Sequence, residues 1–526
     1  MFFGFSKKND NGDFLSDRAS VVRNLRLGNR KSRTMHEITG MFKRFSSKKI
    51  DKFCPDKSRV ITRFSVPSSQ EKLNNIISRV LALSEEEVLK ALRGVFADFS
   101  KRHRSIENIM RRNFMELIPH LPVGIDISDE RELLLGAYFT MEYAIESAAL
   151  FNPSIVIYPK QNDLKPGQTR VLISFRATGE GHISSIVFRS AIIDRSSDIF
   201  VEPVSRYVGT PEIVLNTRYC KDLIVRKLED LRLLDDLMRS MLEKVSDDFV
   251  VEELREAIDR EEEKGTYPKE DIKKTSEKLL WLLKSNYEIL FSPLHLISER
   301  VIFPASPTES NGVEDARFVR FVDDDGVVTY YATYTAYNGS SIMPQLIETK
   351  DFHHFKMKTL NGPMAKNKGM ALFPRKVNGH YAMIGRVDGE SLYLMYSDNM
   401  DFWCDGVQIM SPEQPWELVQ IGNCGSPMET EKGWIMLTHG VGPVREYCIG
   451  AVLLDLNDPS RVIGRLKEPL IVPAEEDREG YVPNVVYTCG AMILNDDIII
   501  PYATSDSVSH IAIISVKELL EKLSAA

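Results

Sequence analysis

The run VVTYYATYTAY, residues 327–337, is built largely from β-branched and aromatic residues, the types that fit a pleated, half-buried strand. Four other runs share its character: RVLISFRA (170–177), HYAMIGRV (380–387), GWIMLTHGV (433–441) and DIIIPYATS (497–505). A short polar loop leads from each to a second strand-like run, as in SSIVFRSAIID, SLYLMYSD and YCIGAVLLD. The last four runs start about 53, 53 and 64 residues apart, close to the length of a four-stranded propeller blade. The first two starts lie about 157 residues apart, and a helical block of roughly 70 to 90 residues between them absorbs much of the excess. The repeats predict a mainly β chain: a five-bladed β-propeller with an N-terminal helical segment and a helical insertion. A β-sandwich of equal strand count would not repeat similar motifs at a fixed period.

Helical patterns flank and interrupt these repeats. From about residue 69 to 118 the sequence reads helical, with Ser84-Glu85-Glu86-Glu87 as a capping box. Val88, Leu89, Leu92 and Val95 are expected on one apolar face. A second helical block is expected from about 219 to 290, broken at Gly265 and Pro268. The expected organisation is a basic arm and helical extension over residues 1–130, then a propeller domain over 131–526 with its insertion at about 215–290.

The 526 residues carry a net charge of −8, with 43% hydrophobic and 27% charged residues. That balance excludes wholesale disorder, a collagen-like chain and a membrane bundle. No apolar run reaches the eighteen or more residues of a membrane span, and MFFGFSKKNDNGDF lacks a secretory h-region. Residues 1–60 hold about 15 Lys/Arg against 6 Asp/Glu. Such an arm suits an anionic surface or substrate, a solvated tail, or an arm packed on a partner subunit, so a homo-oligomer is one expectation. Nothing aromatic is interleaved for base stacking, so no nucleic acid is expected. The six cysteines form no CxxC pair and have no histidines at metal-ligand spacing. Reduced, mostly buried thiols, a cytoplasmic address and no metal or other cofactor are the corresponding expectations.

Each repeat ends its first recognisable strand on a polar residue where a propeller strand would meet the central channel. Arg176 follows ISF, Tyr337-Asn338 follow YTA, Arg386 follows MIG, His439 follows MLT and Asp506 follows YATS. A funnel lined this way suits a polyhydroxylated ligand together with an anion. Acid-assisted cleavage of a glycosidic bond fits that mixture. An inverting hydrolase needs a second carboxylate to activate water, whereas phosphate is already a nucleophile and needs cations to hold it. Lys368, Arg386 and His439 outnumber spare carboxylates at these positions, which favours phosphate as acceptor.

Several ordered segments resemble glycoside hydrolase family 130: FNPSIV (151–156), SFRA (174–177), GVEDARF (312–318), NKGMALFPRKVNGHYAMIGR (367–386), THGVG (438–442), GAVLLDLNDPSRVIGR (450–465) and VPNVVYTCG (482–490). The resemblance covers about residues 145 to 520 outside the insertion. It implies a five-bladed propeller and an inverting β-mannoside phosphorylase that moves a terminal β-mannosyl unit of a mannoside or mannooligosaccharide to inorganic phosphate, its co-substrate. It also implies Asp315 as general acid, acting through a hydroxyl of the bound mannose. Asn152, Arg176 and Asp506 match the mannose-binding rim, and Lys368, Arg386 and His439 match a phosphate pocket. Arg317 is expected either to hold the Asp315 carboxylate or to form a structural salt bridge. Tyr337 and Asn338 complete the expected substrate contacts, and Tyr337 and Tyr481 are candidates for stacking on sugar rings. Arg375 stands where relatives often have a glutamate. The alternatives are an inverting β-mannosidase that uses water, with Glu429 and Glu446 as the nearest carboxylates, and a silent sugar-binding propeller. Linkage and acceptor depend on loops at the funnel mouth.

Overall fold

The computed structural model describes residues 48–215 and 217–524. Most of the basic arm anticipated over residues 1–60 therefore lies outside the described residues. The described chain is mainly β. Five runs, or groups, of four antiparallel strands follow one another, the first two within one 11-stranded sheet, where Gly312 pairs in parallel with Ser184. The first comprises Ala149–Ile157, Thr169–Thr178, Ser184–Ile193 and Ile199–Val201. The second comprises Gly312–Val322, Val328–Tyr337, Ile342–Thr349 and His354–Thr359. The third runs through Ala371–Leu372, Tyr381–Gly385, Leu392–Ser397 and Asp405–Met410, the fourth through Gln420–Asn423, Gly433–Val441, Tyr447–Leu454 and Val462–Arg465. The fifth joins Val486–Tyr487, Asp497–Thr504 and Val508–Ser515 to Lys48–Phe53, which comes from the far end of the chain.

The runs that dominate the sequence are thus the second and third strands of each group; the strand that leads them has nine and eleven residues in the first two groups and only two to four in the others. They read as continuous apolar stretches because they are covered on both faces; all nine residues of Gly433–Val441 are buried. The apolar cores lie between successive groups. Leu172 and Phe188 pack with Phe318 and Ile347 between the first and second. Phe321 and Leu346 meet Leu372 and Met383 between the second and third, and Ile384 and Leu394 meet Met436 and Val452 between the third and fourth. The fifth group returns to the first, where Ile499, Ile511 and Ile513 pack on Ile155 and Ile173.

Among the described residues four α-helices precede the first group: α1 (Gln70–Leu81), α2 (Glu85–Phe99), α3 (Ile106–Met115) and α4 (Asp129–Tyr138). The capping box of α2 forms, with Glu87 N–H donating to Ser84 Oγ at 3.3 Å and Ser84 N–H to Glu87 Oε2 at 2.8 Å. Val88 and Leu92 are buried, but Leu89 is 40% exposed. It sits a quarter turn off the stripe that spacings of four and seven residues define, so the expected apolar face is narrower.

The insertion holds α5 (Lys221–Asp230), α6 (Asp236–Leu242), α7 (Val251–Lys264) and α8 (Lys269–Leu283), around a core of its own that includes Leu228, Met241 and Leu279. Gly265 ends α7 at φ +62, a left-handed conformation that glycine takes without strain. The helical block stops at Leu283 rather than near 290. Tyr287–Leu290 is a strand, because Tyr287 and Ile289 alternate inward and pair with Met357 and Phe355. Helix α5 is fastened to the second group: Lys227 Nζ donates to the Leu360 carbonyl at 2.6 Å, and Gly362 N–H donates to Asp230 Oδ2 at 2.6 Å. A last helix, α9 (Val516–Ser524), closes the described chain. Among the described residues no helix is long and apolar enough to cross a membrane. The six cysteines are free; Cys424, Cys448 and Cys489 are buried but Cys54, Cys220 and Cys404 are exposed, fewer buried thiols than expected.

Candidate active site

The leading strands of the first two groups each carry a bulge at the residue that matters. Pairing slips between Phe151 and Ser154 in one and between Glu314 and Arg317 in the other. At these slips Asn152 takes φ +48 and Asp315 φ +56, a left-handed region that Asn and Asp tolerate better than other L-residues. The bulges turn the two side chains toward each other, and Asn152 Nδ2 donates to Asp315 Oδ1 at 2.8 Å.

Arg176 binds both carboxylates of the GVEDAR motif. One terminal nitrogen donates to Glu314 Oε1 at 2.6 Å and the other to Asp315 Oδ1 at 3.2 Å. Its Nε donates to Ser184 Oγ at 2.8 Å, and its guanidinium lies 4.9 Å from the Phe151 ring centre. The other oxygen of buried Glu314 accepts from Lys368 Nζ at 2.6 Å. Burial alone would raise the pKa of Asp315. The charges of Arg176 and Lys368 and the Asn152 hydrogen bond outweigh it and hold the group below the usual carboxylate value.

Lys368 sits on a loop between Asn367 at φ +61 and Gly369 at φ +83. Asn367 Nδ2 donates to the carbonyls of Arg386, at 3.2 Å, and Val387, at 2.7 Å. One side chain therefore ties the Lys368 loop to the end of the strand that delivers Arg386. Arg386 in turn reaches the fourth group, where a terminal nitrogen stands 3.4 Å from His439 Nε2. His439 Nδ1 donates to the Asn423 carbonyl at 3.2 Å, which leaves Nε2 as the acceptor facing Arg386. Burial, then the charges of Arg386 and Arg317, push His439 well below the ordinary histidine value, so it is neutral at pH 7.

Asp506 follows the strand Asp497–Thr504 at φ +48, as does Ser505. Burial pushes its carboxyl up to about 7, against the opposing pull of Arg176; Asp315 and Arg445 also act on it. Two carboxyls near Arg176 are thus driven apart in pKa, Asp315 down and Asp506 up.

The structure brings Asn152, Arg176, Asp315, Lys368, Arg386, His439 and Asp506 into one network of contacts and charges. Arg317 lies beside it with a different task. Rather than holding the Asp315 carboxylate, it donates to the Asn423 carbonyl at 3.0 Å, to Asn423 Oδ1 at 2.8 Å and to the Tyr487 hydroxyl at 2.6 Å. The bulge places Arg317 two residues on from Asp315 but facing the fourth and fifth groups, and Arg176 takes the role anticipated for it. The Tyr337 ring lies 5.7 Å from Lys368 Nζ, but its hydroxyl donates to the Gly339 carbonyl. Asn338 is turned onto its own loop, its Oδ1 accepting from the backbone of Ser340 and Ser341. Arg375 points away, paired with Glu429 at 2.6 Å and lying on the Trp434 ring.

Sequence reasoning passed over Glu314, Asn367, Asn423 and Tyr487. Glu314 adjoins Asp315 in the GVEDAR motif, and the available clue is that a bulge lets adjacent residues face the same side. Asn423 and Tyr487 sit on leading strands of four and two residues, too short to show a period.

A family model described as beta-1,4-mannooligosaccharide phosphorylase matches residues 279–525. The matched stretch contains Asp315, Lys368, Arg386, His439 and Asp506, whereas Asn152 and Arg176 precede it. A 1,2-beta-oligomannan phosphorylase from Thermoanaerobacter sp. (strain X514) is 36% identical over 219 residues, 40% of this chain and 71% of its own length. A beta-1,2-mannobiose phosphorylase from the same organism is 34% identical over 221 residues, 40% of this chain and 70% of its own. The solved structure of beta-1,2-mannobiose phosphorylase from Listeria innocua with beta-1,2-mannobiose aligns over 72% of this chain and 93% of its own, at 21% identity and a TM-score of 0.43.

Proposed function

The chain belongs to glycoside hydrolase family 130, and from that premise we propose that it is an inverting β-mannoside phosphorylase built on a five-bladed β-propeller. The propeller reading is supported by five four-stranded groups in sequence, by cores between neighbours, and by the return of the fifth group to the first. The leading strands of the first, second, fourth and fifth groups, with the loop before the third, would then ring one channel. Asn152, Asp315, Asn423, Tyr487 and Lys368 come from those five segments.

In this reading Asn152, Arg176 and Asp506 hold the terminal mannose. Lys368 and Arg386 hold phosphate, with His439 behind them. A phosphate oxygen bonds to C1 as the bond from C1 to the bridging oxygen breaks, and inversion converts a β-mannoside to α-mannose 1-phosphate. The leaving oxygen takes its proton from Asp315 through a mannose hydroxyl. Three cations near Asp315 keep it ionised in the free protein. A dianion that draws Lys368 to itself would weaken that hold and raise the Asp315 pKa for proton donation. Neutral His439 accepts a proton readily once the dianion offsets the Arg386 charge, and would then donate to phosphate. The arrangement works through positioning and electrostatics.

The observation that carries the reading is the Arg386–His439 pair beside an Asp315 held by Arg176. Arg386 Nε is buried without a hydrogen-bond partner among the described residues, which suits an anion that completes it. A hydrolase base finds less support: Glu429 is occupied by Arg375. The domain reading that goes with this function keeps residues 131–526 as the catalytic propeller and the preceding residues as an extension, although Lys48–Phe53 joins the fifth group. A cytoplasmic location with free phosphate suits it, and the six free cysteines agree. Incubation of β-1,2- and β-1,4-mannobiose with and without phosphate tests the proposal. It requires cleavage that depends on phosphate and yields α-mannose 1-phosphate; release of mannose without phosphate would establish the hydrolase instead.

A further inference from the structure

Two loops on different groups share one unusual backbone. In the first group Gly179 has φ −111 and ψ −155, then Gly181 and His182 take φ +66 and +60. In the fourth, Gly442 has φ −106 and ψ −160, then Val444 and Arg445 take φ +58 and +57. Each loop joins the second strand of its group to the third, so His182 and Arg445 occupy equivalent places. His182 reaches the fifth group. Arg445 acts on the Asp506 carboxyl through its charge. His182 Nδ1 is 2.7 Å from the Tyr481 hydroxyl, with the ring centres 5.6 Å apart and the planes at 37°.

Tyr481 is anchored to the turn that carries Asp506. Its N–H donates to Ser507 Oγ at 2.8 Å, and the N–H of Val482 donates to the Ser505 carbonyl at 3.0 Å. The ring itself is 45% exposed and His182 is exposed. A hydrogen bond so open to water contributes little to stability. The fourth-group loop adopts the same backbone with an arginine in place of the histidine, so the loop conformation does not depend on a Tyr–His bond.

From these observations we infer that the Tyr481–His182 pair is the wall of the acceptor subsite, stacking on the sugar that leaves when the mannosyl bond is cut. The inference rests on the phosphorylase reading above. Inversion requires phosphate and leaving group on opposite faces of the mannose. The phosphate cations Lys368 and Arg386 come from the third group, with His439 from the fourth. The leaving sugar then departs over the first and fifth groups, where the pair bridges the loop beyond Arg176 and the turn bearing Asp506. An amphipathic aromatic surface with a hydrogen-bonding edge suits a sugar ring, whose face is apolar and whose rim is hydroxylated.

The test runs the reaction in the synthetic direction, with α-mannose 1-phosphate as donor and mannose or β-1,2-mannobiose as acceptor. Tyr481→Ala should raise the acceptor KM about tenfold while the donor KM stays within about twofold. Tyr481→Phe, which keeps the ring and loses the hydrogen bond, should give an intermediate value, as should His182→Ala. Equal rises in both KM values, or an unchanged acceptor KM in Tyr481→Ala, would overturn the assignment. If the unaltered enzyme makes no disaccharide and cleaves none with phosphate, the functional reading fails and this one with it. Normal turnover with indifferent variants removes the subsite alone.

Discussion

Asn152 and Asp315 meet at 2.8 Å across two bulged strands, each in left-handed backbone. Neither would face the other in regular strands, because an unbroken ladder alternates its side chains at a fixed step. The pair also leaves Asn152 Oδ1 buried without a partner among the described residues, an acceptor suited to a sugar hydroxyl.

Replacing Asp315 by Asn should reduce kcat for phosphorolysis by about 10³, within the range general acid catalysis contributes. Asn152→Ala should lower kcat/KM by a smaller factor, about 10 to 10². Initial rates of α-mannose 1-phosphate release measure both. Retention of activity in Asp315→Asn would show that another group supplies the proton.

Phosphate binding should bring a proton with it. His439 is neutral in the free protein because burial and two arginines disfavour its charge, and an arriving dianion reverses that balance. Titration calorimetry in buffers of different ionisation enthalpy should register net proton uptake, and His439→Asn should reduce it. Arg386→Ala should raise the phosphate KM by about 10- to 100-fold, the scale of a lost charge-assisted bond. Proton uptake equal in the His439 variant would place the titrating group elsewhere.

Asp506 should make the protein less stable as the pH rises. Its folded pKa of about 7 exceeds the ordinary aspartate value of 3.8, so between those values the folded form holds a proton that the unfolded form has lost. Stability therefore falls as pH rises through that window and levels off above it. Asp506→Asn should increase Tm at pH 8 by several degrees and much less at pH 4. It should also weaken binding of the sugar. A Tm difference independent of pH would contradict the assignment.

The helical insertion should influence phosphate binding although its helices lie outside the cluster. Lys227 and Asp230 clamp residues 360–362, only a few residues before Lys368. Asp230→Ala should raise the phosphate KM by about threefold to tenfold with little change in kcat. Equal loss across all substrates, or none, would show that the clamp serves the fold alone.

A buried ionic triad offers a test of stability. Arg59 and Arg189 both donate to Glu146 Oε1, at 2.8 and 2.7 Å, with Arg59 and Glu146 fully buried. Arg59 also donates to the carbonyls of Ser205 and Ser298. Glu146→Gln leaves two arginines without their counter-ion and should cost about 3–5 kcal/mol in urea unfolding. A loss below about 1 kcal/mol would mean that water reaches the site.

The strands legible in the sequence were those buried on both faces, such as Gly433–Val441, where packing demands an unbroken apolar run. The leading strands were harder to read, because residues such as Asn152, Glu314, Asp315 and Arg317 interrupt any apolar pattern. Most strand-end positions still pointed to the site, since a polar residue closing an apolar strand marks where packing stops. Tyr337 and Asn338 mark that limit. The strand ends there, but the Asn-Gly-Ser-Ser stretch folds its asparagine back on the turn. Which carboxylate, carbonyl or hydroxyl across the site an arginine selects, as with Arg176 and Arg317, depends on contacts between residues 106 or more positions apart, beyond the reach of local pattern.

The pairing of Lys48–Phe53 with Val508–Ser515, in which Lys49 lies opposite Ala512, has a bearing on biosynthesis. The earliest described strand has no partner until nearly the whole polypeptide has emerged from the ribosome. Completing the fifth group therefore requires a contact between residues very far apart in sequence, and such a contact forms slowly. A chain without residues 48–53 would leave Val508–Ser515 an unpaired edge, an invitation to aggregate.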